Sequence, residues 1–277
     1  MKNGKPDIPL LEKKARQLRA TCIKMSHEGR EGHLGGALSC VDILVALYYY
    51  WLEVYPEDPK STIRDRFFFS KGHACSALYA VLADCGFIPL EWLSTYNQLG
   101  SHLHLHPCKY ALPVLEMSAG SLGHGLGIAA GVLYGLKMDR NQARGVVLMS
   151  DGECNEGSVW ESAMFARAQY LDRLLVIVDY NGTQSIGMTD DIMGHTSLEE
   201  KFISFGWAAQ TVDGNDIAAL IKALDQFPFV KGQPSAIIAK TKKGVSFMEN
   251  QILWHYRVPP KDEMDRAILE LGETPIY

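Results

Sequence analysis

Two short turns, each directly behind an apolar run, carry residue types that hold a cation. Gly145-Val-Val-Leu-Met149 leads into Ser150-Asp151-Gly152-Glu153-Cys154-Asn155-Glu156-Gly157. Leu174-Leu-Val-Ile-Val178 leads into Asp179-Tyr180-Asn181-Gly182-Thr183. Asp151 and Asn181 stand 30 positions apart, the length of one strand–helix–strand crossover. A carboxylate and a carboxamide on one sheet edge, with a backbone carbonyl nearby and Thr183 the candidate, are hard oxygen ligands. They suit Mg²⁺ or Ca²⁺ holding a diphosphate. Gly152 lets the chain approach the phosphates closely. Asp-Gly and Asn-Gly are also common turn pairs, so either turn alone reads as chain reversal; the two together, at this spacing, point to chemistry. The second resource is imidazole: the chain has 9 His, the side chain that titrates near neutrality. His102, His104 and His106 alternate in an extended stretch and would share a face, a pattern also open to zinc.

These residues need a scaffold that brings chain segments far apart in sequence to one edge. The two apolar runs and a third, Ser235-Ala-Ile-Ile-Ala239, read as strands, with helices over about 158–170 and 216–226 between them. Strands alternating with helices predict an α/β fold: a parallel sheet flanked by helices on both faces, with ligands at the carboxyl ends of the strands. The first half reads as helices and loops. Leu10 to Met25 has helical apolar spacing. Ser39 with Asp42 resembles a capping box opening a helix over Val41 to Leu52. Gly72 to Cys85 reads as a buried helix, and 86–120 as loops broken by Pro89, Pro107 and Pro113. Leu122 to Lys137 is a Gly/Ala-rich helix that lets another backbone come close. No repeat or linker interrupts the chain, so residues 1–277 are expected to form a single diphosphate-binding domain with a helical N-terminal portion.

Composition narrows the classes. Apolar residues make up 47% and charged residues 21%, which excludes a disordered chain. The net charge of −5 argues against nucleic acid as a partner, so a phosphate would need a metal, backbone amides or a few placed cations. The 6 Cys include no Cys-x-x-Cys pair and are expected to be free thiols in a reducing compartment. Met1 to Ala20 lacks an apolar segment and does not read as a signal peptide. Ile43 to Leu52, the most apolar run, is too short for a membrane span. A cytoplasmic location without membrane contact is expected.

The pair of turns resembles the diphosphate-anchoring motif of thiamine diphosphate enzymes, Gly-Asp-Gly followed by Asn, with Ser150 in place of the first Gly. Further segments resemble transketolases in order: Gly32-His33-Leu34-Gly35-Gly36, Phe69-Ser70-Lys71-Gly72-His73, Leu99-Gly100-Ser101 to His106-Pro107, Gly120-Ser121-Leu122-Gly123-His124-Gly125, and Lys240-Thr-Lys-Lys-Gly-Val-Ser-Phe-Met-Glu-Asn250 with Trp254-His255. The last resembles the N-terminal subunit of two-chain transketolases. The resemblance implies transfer of a glycolaldehyde unit from a ketose, usually phosphorylated, to an aldose, with thiamine diphosphate and Mg²⁺, Ca²⁺ being a possible substitute. It implies that His33, His106 and His255 act on the sugar. It assigns His73, Gly120, Ser121, Leu122, Gly152, Glu156, Asn181 and His255 to the cofactor, Leu122 as an apolar wedge beside the thiazolium. Asp151, Asn181 and Thr183 are the implied metal set, and Glu156 is also expected near a subunit interface. His102 and His104 are expected in the sugar channel. The chain departs from the family at His124, usually Gln; near Asn97, where an Arg is frequent; and at Tyr256, usually Gly. Single-chain transketolases are far longer, so the resemblance also implies a partner subunit carrying the pyrimidine-binding domain, in an α2β2 assembly. Two rivals stand beside this reading: another thiamine diphosphate enzyme, such as the α chain of a 2-oxo acid dehydrogenase, and a non-catalytic partner subunit with the same fold.

Overall fold

The three apolar runs become the middle of a sheet. The computed structural model describes residues 5–277, and the part of the expected non-signal N-terminus that falls on residues 1–4 lies outside them. The strands are β1 (Arg66–Phe69), β2 (Gly145–Ser150), β3 (Leu174–Tyr180), β4 (Ala208–Asp213) and β5 (Ser235–Lys240). They lie in the order β1-β2-β3-β5-β4, and every neighbouring pair is parallel. The helices are α1 (Ile8–Gly29), α2 (Leu34–Ser39), α3 (Val41–Val45), α4 (Cys75–Asp84), α5 (Gly125–Met138), α6 (Gly157–Ala168), α7 (Thr189–Met193), α8 (Leu198–Ser204), α9 (Ile217–Leu224) and α10 (Lys261–Leu271).

Because successive side chains of a strand point to opposite faces, each buried strand feeds two cores. Val146, Leu148, Leu175 and Ile177 join α1, α3, α4 and α9 on one face. Val147, Met149, Val176 and Val178 join α5, α6 and α8 on the other. The α/β expectation holds. The two strands not foreseen had weak signals for physical reasons. β1 is only four residues long, and β4 is a partly exposed edge strand without a continuous apolar run.

Two local readings are corrected. The Ser39/Asp42 pair does not cap a helix. The Ser39 hydroxyl donates to Asp179 Oδ2 at 2.6 Å, and Asp42 pairs with Arg19. The segment after Asp42 is α-helical only to Val45 and then widens into a π-type turn over Ala46–Trp51. Tertiary partners for two buried polar side chains override the local pattern here. Likewise Leu122 is not a helix residue. Gly123 has φ +83, a left-handed conformation, and a Cβ there would stand 2.6 Å from Glu156 Cβ, so Gly120 to His124 stay in a loop ahead of α5.

Candidate functional site

Ser150 faces Asp179 in the β2–β3 register, so the turns beyond these strands are neighbours. Asp151 is tied across them. Its Oδ2 accepts from the Gly182 amide at 3.0 Å and the Thr189 hydroxyl at 2.6 Å, and its Oδ1 accepts from the Gly152 amide at 3.0 Å. Asn181 Oδ1 accepts from the Thr183 amide at 3.1 Å. Burial pushes the Asp151 carboxyl up, with the Thr189 bond opposing. Below this edge, Lys71 and Asp179 form an ion pair whose side chains are fully buried. Lys71 also donates to the Gly36 carbonyl at 2.9 Å, and Asp179 accepts from Ser39 and Thr241. Glu153, fully buried, accepts from the Ser70 hydroxyl and from the Gly123 amide at 2.9 Å, joining the β2 turn to the Gly120 loop.

Four imidazoles converge in front of this edge. The His33 ring centroid lies 5.7 Å from His73, 6.3 Å from His106 and 5.3 Å from His255. His33 sits at φ 54 ahead of α2, and its amide donates to the His255 carbonyl at 2.8 Å. Gly32 makes that contact feasible: a Cβ there would stand 2.4 Å from the Tyr256 carbonyl oxygen. Burial, then the nearby Lys71, holds His73 well below the usual imidazole range. Burial, then His33, lowers His106. Burial, then Lys243, lowers His255 to about 3, while burial lowers Lys243 to about 8. Lys243 Nζ lies 2.9 Å from His255 Nδ1. An ammonium only donates, so His255 accepts at Nδ1 and carries its proton on Nε2. His33 has the opposite arrangement: Nδ1 lies 2.6 Å from Glu31 Oε1, and a carboxylate only accepts.

One cleft of about 400 Å³ gathers most of the expected site. His33, His73, His106 and His255 form one wall; Asp151, Gly152, Asn181 and Thr183 form another; Gly120, Leu122 and Glu156 complete it. Ser121 is exposed and does not line the cleft. His102 and His104 do not line it either. His102 stacks on Trp92 at 4.4 Å between ring centroids and faces the Ala111 carbonyl, and His104 is exposed. Among the described residues no group of three His, Cys, Asp or Glu side chains is arranged to hold a metal ion, so the alternating histidines do not form a zinc site. Asn97 donates to the Gly29 carbonyl at 2.9 Å and is occupied structurally.

The cleft residues fit a diphosphate with a divalent cation. The donor set on its edge is oxygen only, Asp151 and Asn181 with the Thr183 carbonyl, which already accepts from Lys243 at 2.8 Å. The Gln184 Nε2 is buried without a partner in the same wall, an orphaned donor that an anion would satisfy. A Cβ on Gly152 would stand 3.1 Å from that Gln184 amide carbon, so the glycine keeps the space open. Glu31, Lys243, Gln184, Glu153 and the Lys71–Asp179 pair escaped the sequence reading. Glu31 carried a usable signal, an acid two positions before a histidine with a glycine between them. The others lie in segments whose contacts only the fold creates.

Residues 11–255 match the family described as transketolase, thiamine diphosphate binding domain. The chain is 36% identical over 268 residues to one subunit of the apulose-4-phosphate transketolase of Phocaeicola vulgatus, covering 96% of this chain and 95% of that protein. It is 37% identical over 242 residues to the 6-deoxy-6-sulfo-D-fructose transketolase subunit SqwG of a Clostridium species, covering 87% and 88%. Among solved structures, transketolase from Campylobacter jejuni superposes with a TM-score of 0.91 at 28% identity, covering 98% of this chain and 44% of that one. The chain therefore spans less than half the length of that solved transketolase.

Proposed function

This chain belongs to the transketolase family, and we propose that it is the subunit of a split transketolase that holds the diphosphate end of thiamine diphosphate. The carrying observation is the single cleft in which four imidazoles face an Asp151–Asn181 edge. The reaction is transfer of a two-carbon ketol unit from a ketose to an aldose. The donor class that fits best is a ketose with an anionic end, phosphate or sulfonate, as in the names of the two relatives. When bound, thiamine diphosphate supplies the carbanion stabilisation and electron sink of the reaction.

Asp151 and Asn181 hold Mg²⁺, with Ca²⁺ a substitute, and Thr183 offers its carbonyl. Gly152 and Gln184 face the diphosphate, and His73, Gly120 and Leu122 flank the rest of the cofactor. His255, with its proton on Nε2, donates toward the donor's carbonyl oxygen. His33 exchanges a proton at Nε2, and His106 holds a terminal hydroxyl.

The described chain acts as one diphosphate-binding domain in the cytoplasm; no helix among the described residues is long and apolar enough to cross a membrane. Its partner is a second chain bearing the pyrimidine-binding domain, in an α2β2 assembly. Both cited relatives are named as subunits. An exposed apolar face on α5 and α6 offers a surface for that chain. It carries Ile128, Val132, Met138 and Met164, with Tyr134 against Phe165 at 5.8 Å between ring centroids.

The test is a ketol-transfer assay with thiamine diphosphate, Mg²⁺, a ketose phosphate and an aldose phosphate. Activity is expected only when a C-terminal transketolase subunit is added. Full turnover by this chain without a second polypeptide would overturn the two-chain reading.

A further inference from the structure

Glu31 is 5% exposed and sits one residue before the Gly32–His33 turn. Its carboxylate has two partners: His33 Nδ1 at 2.6 Å on Oε1 and the Tyr96 hydroxyl, which donates to Oε2 at 3.0 Å. Tyr96 is itself 1% exposed. The backbone around Glu31 is tied on both sides. Its amide donates to the Ser26 carbonyl at 3.0 Å, and its carbonyl accepts from the Ser26 hydroxyl. Among the described residues, Glu31 is the only hydrogen-bond partner of the His33 ring. The other groups facing that ring are His73, His106, His255 and Tyr256, and none of them is negatively charged. Lys243 stands behind His255.

A carboxylate can only accept, so it keeps a proton on Nδ1 and leaves Nε2 as the acceptor of the neutral ring. It also stabilises the imidazolium once Nε2 takes a proton, as the buried carboxylate does for the histidine of a serine–histidine–aspartate triad. Lys243 imposes the reverse tautomer on His255. The cleft therefore holds two imidazoles, 5.3 Å apart, with opposite proton positions.

We propose that Glu31 is a positioning residue that sets His33 as the proton acceptor of this pair, opposite His255 as the donor. The proposal rests on the reading that His33 meets the sugar. In ketol transfer the donor loses a hydroxyl proton as its remainder becomes an aldehyde, and the acceptor's carbonyl oxygen gains one. His33 Nε2 takes the first proton, and the resulting imidazolium, held by Glu31, supplies the second, leaving the ring as it began.

The test combines ring-nitrogen NMR of the full-length chain with kinetics of the partnered enzyme. In ¹⁵N-histidine spectra, with His33 assigned through His33→Gln, the neutral His33 ring should carry its proton on Nδ1. In Glu31→Leu, which removes the acceptor, the neutral His33 ring should lose its preference for a proton on Nδ1. kcat should fall ~10-fold or more, and KM should stay within about threefold, since a proton-transfer group contributes mainly to rate. Glu31→Asp should recover part of kcat.

An unchanged Nδ1 tautomer in a folded Glu31→Leu would overturn the proposal. So would a wild-type His33 with its proton on Nε2, a result that does not depend on any variant folding. The spectra need no turnover. A wild-type assembly without ketol transfer, or a fully active His33→Ala, would instead count against the functional reading beneath the proposal.

Discussion

Asp151 brings a negative charge to the edge of the cleft and Asn181 only a dipole, so their losses should differ. Asp151→Ala should weaken retention of thiamine diphosphate with Mg²⁺ by ~10²-fold or more, while Asn181→Ala should cost nearer ~10-fold. Calorimetry on the partnered enzyme reads both, and equal losses would refute the charge argument. Within the histidine wall, His33→Ala and His255→Ala should each lower kcat/KM by ~10²–10⁴ with cofactor affinity kept, while His106→Ala should show more of its loss in KM. His73, His106 and His255 share a further property: the fold holds each below the ordinary imidazole value of 6.5. Between those lowered values and 6.5 the unfolded chain binds protons that the folded chain refuses, so these histidines lower folded stability as pH drops below about 6.5, while the raised Asp151 and Glu153 carboxyls oppose them in the more acidic carboxylate range. Thermal melts of the cofactor-free chain from pH 7.5 down to about 5 should show this decline. His255→Gln, which still accepts from Lys243, should flatten it. The identity of these histidines was legible in their motifs. Their proton positions were not, because Glu31 and Lys243 are set against them only by the folded chain.

At the scale of elements, the buried Lys71–Asp179 pair ties the loop after β1 and helix α2 to the end of β3. Removing one partner leaves an uncompensated buried charge. Lys71→Met should therefore lower unfolding free energy by ~3–5 kcal/mol, and adding Asp179→Leu should restore part of it. Urea denaturation measures both variants; a single substitution with wild-type stability would mean that the pair is not a keystone. The central strands were legible because β2 and β3 are buried on both faces and must be continuously apolar. β1, β4 and the π-type turn after Val45 were not, since length, edge exposure and tertiary hydrogen bonds decide them. Ser39 illustrates the limit: its capping pattern is sound locally, yet its hydroxyl answers a carboxylate 140 residues away.

For the whole molecule, the exposed face of α5 and α6 is where association should be decided. Gly127, Gly131 and Gly135 sit on α5 among Ile128, Val132 and Tyr134, and side chains that small let another backbone approach. Ile128→Asp with Val132→Asp should abolish both ketol transfer and co-elution with the C-terminal partner, while the free chain keeps its circular dichroism. Retained co-elution would move the interface elsewhere. The glycine pattern of α5 was legible in the sequence. The aromatic contact that joins it to α6 was not, because Tyr134 and Phe165 meet only across two helices.

The clamp between Gly32 and the Tyr256 backbone bears on how such an enzyme could be re-engineered. Position 32 tolerates no side chain, and the main chain at 256 is thereby held beside His255. The Tyr256 side chain itself is 62% exposed and stands edge-on to His33 and His255 at the lip of the cleft. The two halves of one contact thus have opposite evolvability. A saturation library at 256 can sample new donor sugars while the imidazoles stay in register, whereas the same library at 32 would return almost only glycine.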